Sequence, residues 1–257
     1  MTAAAYREFP VPDALRRWLV CVWEQEVDVR QAWRHRVLPD GCMDLVWFGG
    51  QAPVLAGPAD GFQLIDLAAG LRVLGVRFRP GAAVLVGPPA HELLNLHVAS
   101  HDVLTRAGRE LADWRRPEGL ANAEVRAGLF ERLGRALADA GAPDPVSVGA
   151  VRWLAGHPEG RIEQFARASG LSARQLQRRM RAAVGCGPKQ LQRILRLQRA
   201  LQLARAHRSL AGLAATAGYA DQAHLCREAR ELAGLPASAL FRGTGGTLAM
   251  SDLFKTD

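Results

Sequence analysis

Apolar and polar positions follow two rhythms along the 257 residues. Up to about residue 78 the apolar residues fall in short runs. Phe9, Val11 and Pro12, then Leu15, Trp18, Leu19 and Val22, predict an extended arm followed by a short helix. His35 to Phe48 reads HRVLPDGCMDLVWF. Its β-type runs, Arg36–Leu38 and Met43–Phe48, flank Pro-Asp-Gly, a hairpin signal. Pro53–Ala56, Gln63–Leu67 and Arg72–Phe78 read as further strands, with Gly or Pro between them. The expectation is an antiparallel sheet, closed as a small barrel or stacked as a sandwich. Residues 79–98, RPGAAVLVGPPAHELLNLHV, predict a turn to helix opened by Pro80 and broken at Pro88 and Pro89. Asp102–Trp114 and Asn122–Ala140 carry amphipathic stripes. They are expected to pack on the sheet, with a dimer interface as the alternative use. Ala140 to Ser147, AGAPDPVS, is the expected linker, because Pro143 and Pro145 resist regular structure.

From Arg161 the rhythm becomes helical and repeats. Ile162, Phe165 and Ala166 share one helix face at i, i+3, i+4. Gly170 suits a turn with φ > 0, Leu171 is an apolar plug, and Ser172 is an N-cap for the next helix. Leu176 and Met180 then face inward, leaving Arg174, Gln177, Arg178 and Arg181 for other faces. Gly185 ends that helix and Pro188 opens another. The layout recurs with Leu213, Ala214 and Ala217, the break at Gly218, the plug Tyr219, the cap Asp221, and Leu225 and Ala229 inward. Cap to cap the repeat is 49 residues. Between the copies, PKQLQRILRLQRALQLARA is built of strong helix formers. Leu191, Ile194, Leu195, Gln198, Leu201 and Leu203 allow it a buried stripe. Each copy is a helix-turn-helix, and one long helix joins them.

Charge sharpens this picture. Residues 147–242 hold 16 Lys and Arg against 5 Asp and Glu; residues 1–146 hold 16 against 18. The excess positive charge therefore lies on the tandem repeat, the footprint of nucleic-acid binding. A solvated arginine-rich face is the competing account, and the double motif decides against it. No apolar run is long enough to span a membrane. The N-terminus lacks the basic-then-apolar layout of a signal peptide. Cys21, Cys42, Cys186 and Cys226 form no CxxC pair, so free thiols in a cytoplasmic protein are expected.

Together these residues resemble the DNA-binding domain of the AraC/XylS family of bacterial transcription regulators. The match runs over roughly ninety positions: the serine-led helix with Leu176 and Arg178, G-x-x-P at Gly185–Pro188, the linker with Arg196 and Ala200, A-x-x-x-G-Y-x-D-x-x-H-L-x-R from Ala214 to Arg227, and Gly234, Pro236 and Leu240 beyond. The chain departs from the family at Met180, Leu225 and Ala229, where an aromatic is usual. Leu38–Leu45 and Gly75–Ala82 resemble the sensor-type N-terminal domains of one branch of these regulators.

The expected fold is α+β, with three parts. Residues 1–142 form a sensor or dimerisation domain, residues 147–243 the tandem DNA-binding domain, and residues 244–257 a tail. The expected function is a sequence-specific transcriptional regulator of double-stranded DNA, controlled by a small-molecule effector or a partner. It acts as monomer or homodimer, with RNA polymerase a further partner. The alternative is an architectural DNA binder without an effector. Arg174, Gln177 and Arg178, then Gln222, Ala223 and Arg227, align with family positions at the major groove. Their chemistry agrees, since arginine bridges guanine O6 and N7, and glutamine adenine N6 and N7. Arg161, Lys189, Arg193 and Arg196 are phosphate candidates. Trp18, Trp23, Trp33, Trp47 and Phe62 are candidates to line an effector cavity, because pockets are mostly apolar. No enzyme, metal or cofactor is expected. Cys42 with His35, Asp40 and Asp44 shows no nucleophile geometry in sequence, the only His pair at i, i+4 is His97–His101, and no phosphate-binding glycine loop occurs.

Overall fold

The structure is a computed structural model that describes residues 4–114 and 119–242. The expected tail, residues 244–257, lies outside them. The N-terminal part holds eight strands: β1 (Ala4–Pro10), β2 (Leu19–Val27), β3 (Trp33–Val37), β4 (Met43–Phe48), β5 (Val54–Ala56), β6 (Gln63–Leu67), β7 (Arg72–Phe78) and β8 (His97–Ala99). Six form one sheet in the order β1-β2-β7-β4-β5-β8, and β3 pairs with β6 in a second. Every pairing is antiparallel. The sheets are unclosed and stack as a sandwich.

The larger sheet is buried on both faces, and strand alternation decides which side chain goes where. Leu74, Val76 and Phe78 of β7 join Leu45 and Trp47 of β4 in a core under the helices. The helices there are α2 (Arg109–Asp113) and α3 (Ala123–Ala140), the latter capped by Asn122. The alternate residues, among them Val73, Val46 and Trp23, face Leu67 of the smaller sheet. So the amphipathic stripe of α3 packs on its own sheet.

The Pro-Asp-Gly turn does not close a hairpin between β3 and β4. Asp40 Oδ1 accepts from the Cys42 amide at 2.8 Å, turning the chain from one sheet to the other. Leu19–Val27, near the expected short helix, is a central strand; only Asp13–Leu15 is helical, as a 3-10 turn. Residues 79–89 form no helix, since the Gly87 amide and the Thr105 amide bond Val103 and Leu85 carbonyls instead. The same bonds break Asp102–Trp114 into α1 (Ser100–Val103), a 3-10 turn and α2. The expected linker is shorter too, because Asp144 caps α4 (Pro145–Gly156) through the Val146 and Ser147 amides.

The C-terminal part is helical: α4, α5 (Ile162–Ala168), α6 (Ala173–Val184), α7 (Pro188–Leu203), α8 (Leu210–Ala217), α9 (Gln222–Ala233) and α10 (Ala237–Arg242). Its buried core draws on residues beyond 145. From outside, Leu38 packs against that core, and Pro58 and Ala90 close on Gly185 at the end of α6.

Candidate DNA-reading face and the adjoining cavity

The two helix-turn-helix units close with the same backbone bond. The Leu171 amide bonds the Ala166 carbonyl at 2.9 Å, and the Tyr219 amide bonds the Ala214 carbonyl at 2.9 Å. Each bond spans a left-handed glycine, Gly170 (φ 67°) and Gly218 (φ 87°). This six-to-one closure satisfies the last carbonyls of α5 and α8 and turns the chain sharply. Ser172 then starts α6 with a reciprocal capping box to Gln175, which satisfies two amides that the helix leaves open. Asp221 starts α9 by accepting from the His224 amide at 2.7 Å.

These caps set the phase of α6 and α9. Leu176, Met180 and Val184 go fully into the core, as do Leu225, Ala229 and Leu232. What remains outside is polar: Arg174, Gln177 and Arg178 on α6, and Gln222 and Arg227 beside the small Ala223 on α9, all exposed. Arg174, Gln177 and Arg178 share a face at i, i+3, i+4. That face carries long donors on a rigid support, which is what reading base edges requires.

The four phosphate candidates separate into two pairs. Arg161 and Lys189 are exposed, at the openings of α5 and α7. Arg193 and Arg196 are turned toward α9. Arg193 Nε meets Glu228 Oε1 at 2.8 Å, and its other end meets Glu231. Arg196 reaches the same Glu228 oxygen at 3.4 Å and lies over the Tyr219 ring. Glu228 is only 4% exposed, so these ions fasten α9 to the linker helix.

A cavity of about 110 Å³ lies between the two sheets, with Gln198 and Leu201 of α7 among its walls. Strand register builds it. On β7 the inward positions are Val73, Gly75 and Arg77. Opposite them β2 sets Gln25, Trp23 and Cys21, and β4 sets Phe48, Val46 and Asp44. A Cβ on Gly75 would collide with the Trp23 indole, so glycine lets that ring lie flat on the sheet. Cross-strand pairing puts Arg77 against Asp44, with Nη2 to Oδ2 at 2.9 Å. Asp40 stands 3.8 Å away and Glu8 3.9 Å away. Burial raises the Asp44 carboxyl above the usual range, and Arg77 opposes this. Burial, with the Arg77 charge beside it, pushes His35 down to about 4.

Of the five aromatic candidates, Trp23 lines this cavity. Trp18 and Trp47 lie in the core on the opposite face of the sheet. There their indole N–H groups donate to the carbonyls of Gly141 and Trp114, at 3.0 and 2.7 Å. Trp33 stands at the sandwich edge against His35, 4.7 Å between ring centres. Phe62 is outside, 37% exposed, and would collide with any Cβ on Gly234. Sequence reasoning had passed over Gln25, His35, Asp44 and Arg77 as cavity residues. The available signal was a charged residue at an inward position of an apolar strand, in MDLVWF and in VLGVRF.

The cavity and the reading face are joined. The Gln198 side chain donates to the Pro39 carbonyl at 2.7 Å, next to Asp40. Arg36, which also lines the cavity, donates to the Ala233 carbonyl at the end of α9 at 2.9 Å and stacks on Phe62. Gln190 of α7 donates to the Asp60 carbonyl at 2.9 Å.

Two exposed, capped helices of one design, borne on a basic helical domain, define a DNA-binding transcription regulator. Residues 165–243 match the family model of a helix-turn-helix domain, and the chain carries this domain in its AraC-type, tandem form. Residues 7–99 match a domain of unknown function (DUF6597). No curated protein matches the chain. Among solved structures it is similar to ToxT from Vibrio cholerae O395, at 10% identity over 84% of this chain and 98% of that one, TM-score 0.45. A 1.65 Å structure of ToxT from Vibrio cholerae aligns at 7% identity over 95% of this chain and 100% of that one, TM-score 0.47. Among the described residues no helix is long and apolar enough to cross a membrane.

Proposed function

We propose that this chain regulates transcription by reading a specific DNA sequence with α6 and α9, under control of a small molecule held by the N-terminal part. The division is that of residues 1–142 from 147–243, with α4 belonging to the second part. Arg174, Gln177 and Arg178 read one major groove, and Gln222, Ala223 and Arg227 read the next. Arg161 and Lys189 hold phosphates. The observation that carries the reading is the outward polar face of α6, on which Arg174, Gln177 and Arg178 are all exposed. The linker helix α7 runs unbroken from Pro188 to Leu203 between the two modules, and on this reading it sets them to successive major grooves about 34 Å apart. Control by a ligand is supported by the cavity, whose walls include residues of α7 and whose Arg36 also grips α9.

Selection from a random duplex pool with the full chain tests this. Two conserved blocks about one helical turn apart are expected. A pool that stays random after repeated rounds would favour the architectural binder instead.

A further inference from the structure

We propose that the cavity between the two sheets takes an uncharged small molecule carrying acceptor oxygens, of the amide or carbonyl kind. This rests on the reading of the N-terminal part as a regulatory domain, and adds the chemistry of its ligand.

The charges of the walls argue first. The lining holds two carboxylates, Asp40 and Asp44, and two guanidinium groups, Arg36 and Arg77, so its formal charge is balanced. The Arg77 guanidinium already has Asp44, Asp40 and Glu8 within 4 Å. An anionic ligand would be a fourth carboxylate about one cation, and beside a buried guanidinium that repulsion is weakly screened.

The unmade hydrogen bonds argue next. Gln25 Nε2 is closed off from water and has no hydrogen-bond partner, and Arg77 Nη1, also without one, has Glu8 Oε1 at the ion-pair distance of 3.9 Å. Both atoms can only donate. His35 Nδ1 is also unpartnered, and its ring is neutral at pH 7 for the reasons given above. Buried donors without acceptors are costly. A cation would bring them no acceptor, whereas a neutral carbonyl or amide brings one without charge.

Size and walls complete the class. Val46, Val54, Ile65 and Val73 make an apolar side. A cavity of about 150 Å³ takes up benzene, so 110 Å³ suits a body smaller than one aromatic ring, a short chain of a few heavy atoms.

Three planar probes of one shape test the class on the full chain: acetamide, acetate and acetamidinium, followed by ligand-observed NMR and thermal shift. Acetamide is expected to bind at least tenfold more tightly than the other two. Gln25→Leu should weaken acetamide several-fold. Val46→Trp should abolish binding by filling the space; if that variant does not fold, Gln25→Leu still carries the test. Acetate or acetamidinium binding as tightly as acetamide would overturn the class and leave the regulatory reading standing. Binding by none of the three, or binding indifferent to Gln25→Leu, would overturn the site. Acetamide binding in a chain without sequence-specific DNA binding would support the ligand class and sink the regulator.

Discussion

At the scale of single residues, Arg178 and His35 carry the clearest consequences. Arg178 is exposed on a helix fixed by its cap and core, so its removal should leave the fold intact. Arg178→Ala is expected to cost about 1–3 kcal/mol on the selected site and to relax preference at one base pair, read by competition against single-base variants. Equal weakening on random DNA would make Arg178 a phosphate contact. His35 predicts a pH effect. Its folded-state value of about 4 lies below the ordinary 6.5, so folding favours the neutral ring. Its contribution is complete above pH 6.5 and is lost as pH falls towards 4. Thermal melts across that range should show a steeper loss for the native chain than for His35→Gln. Parallel curves would mean that His35 is not buried as neutral imidazole.

At the scale of elements, what was legible in the sequence was local. Met43–Phe48, Gln63–Leu67 and Arg72–Phe78 end as the strands their alternation announced. The caps Ser172 and Asp221 and the turn glycines Gly170 and Gly218 were readable, because they act on amides and carbonyls a few residues away, whereas the cap Asp144 was hidden in the expected linker. Partners in the sheet were not readable. The Pro39-Asp40-Gly41 turn looks like a hairpin locally, yet β3 pairs with β6 and β4 with β5 and β7. Asp102–Trp114 has a helical stripe, but a pairing of Val86 with Leu104 splits it. The inward turn of Arg193 and Arg196 was equally hidden, since it depends on Glu228 and Glu231 one module away. This network gives a prediction. Glu228→Ala would leave two arginines facing a mostly buried gap, and breaking such a pair costs about 3 kcal/mol. Chemical denaturation should show that loss, while Glu231→Ala, at an exposed position, should cost under about 1 kcal/mol.

At the scale of the whole molecule, the two parts share few bonds but well-placed ones. Gln190, Gln198 and Arg36 tie the sheets to the linker helix and to the end of α9. Beyond these bonds the helical core meets the first part through Leu38 and through Pro58 and Ala90 at Gly185, and is otherwise built from its own residues. Residues 143–242 are therefore expected to fold alone, with a helical far-UV spectrum, and to bind DNA. A disordered fragment would mean that the sheets complete its core.

The most direct measurement of the central claim is the affinity of the full chain for its selected site and for a scrambled duplex of the same composition, across a salt series. Both should weaken linearly in log salt, because phosphate neutralisation releases counterions in each case. The selected site should stay tighter by about 10³-fold or more at physiological salt. Affinities that coincide on the two duplexes at every salt concentration would contradict the account, for α6 and α9 would then be reading no bases.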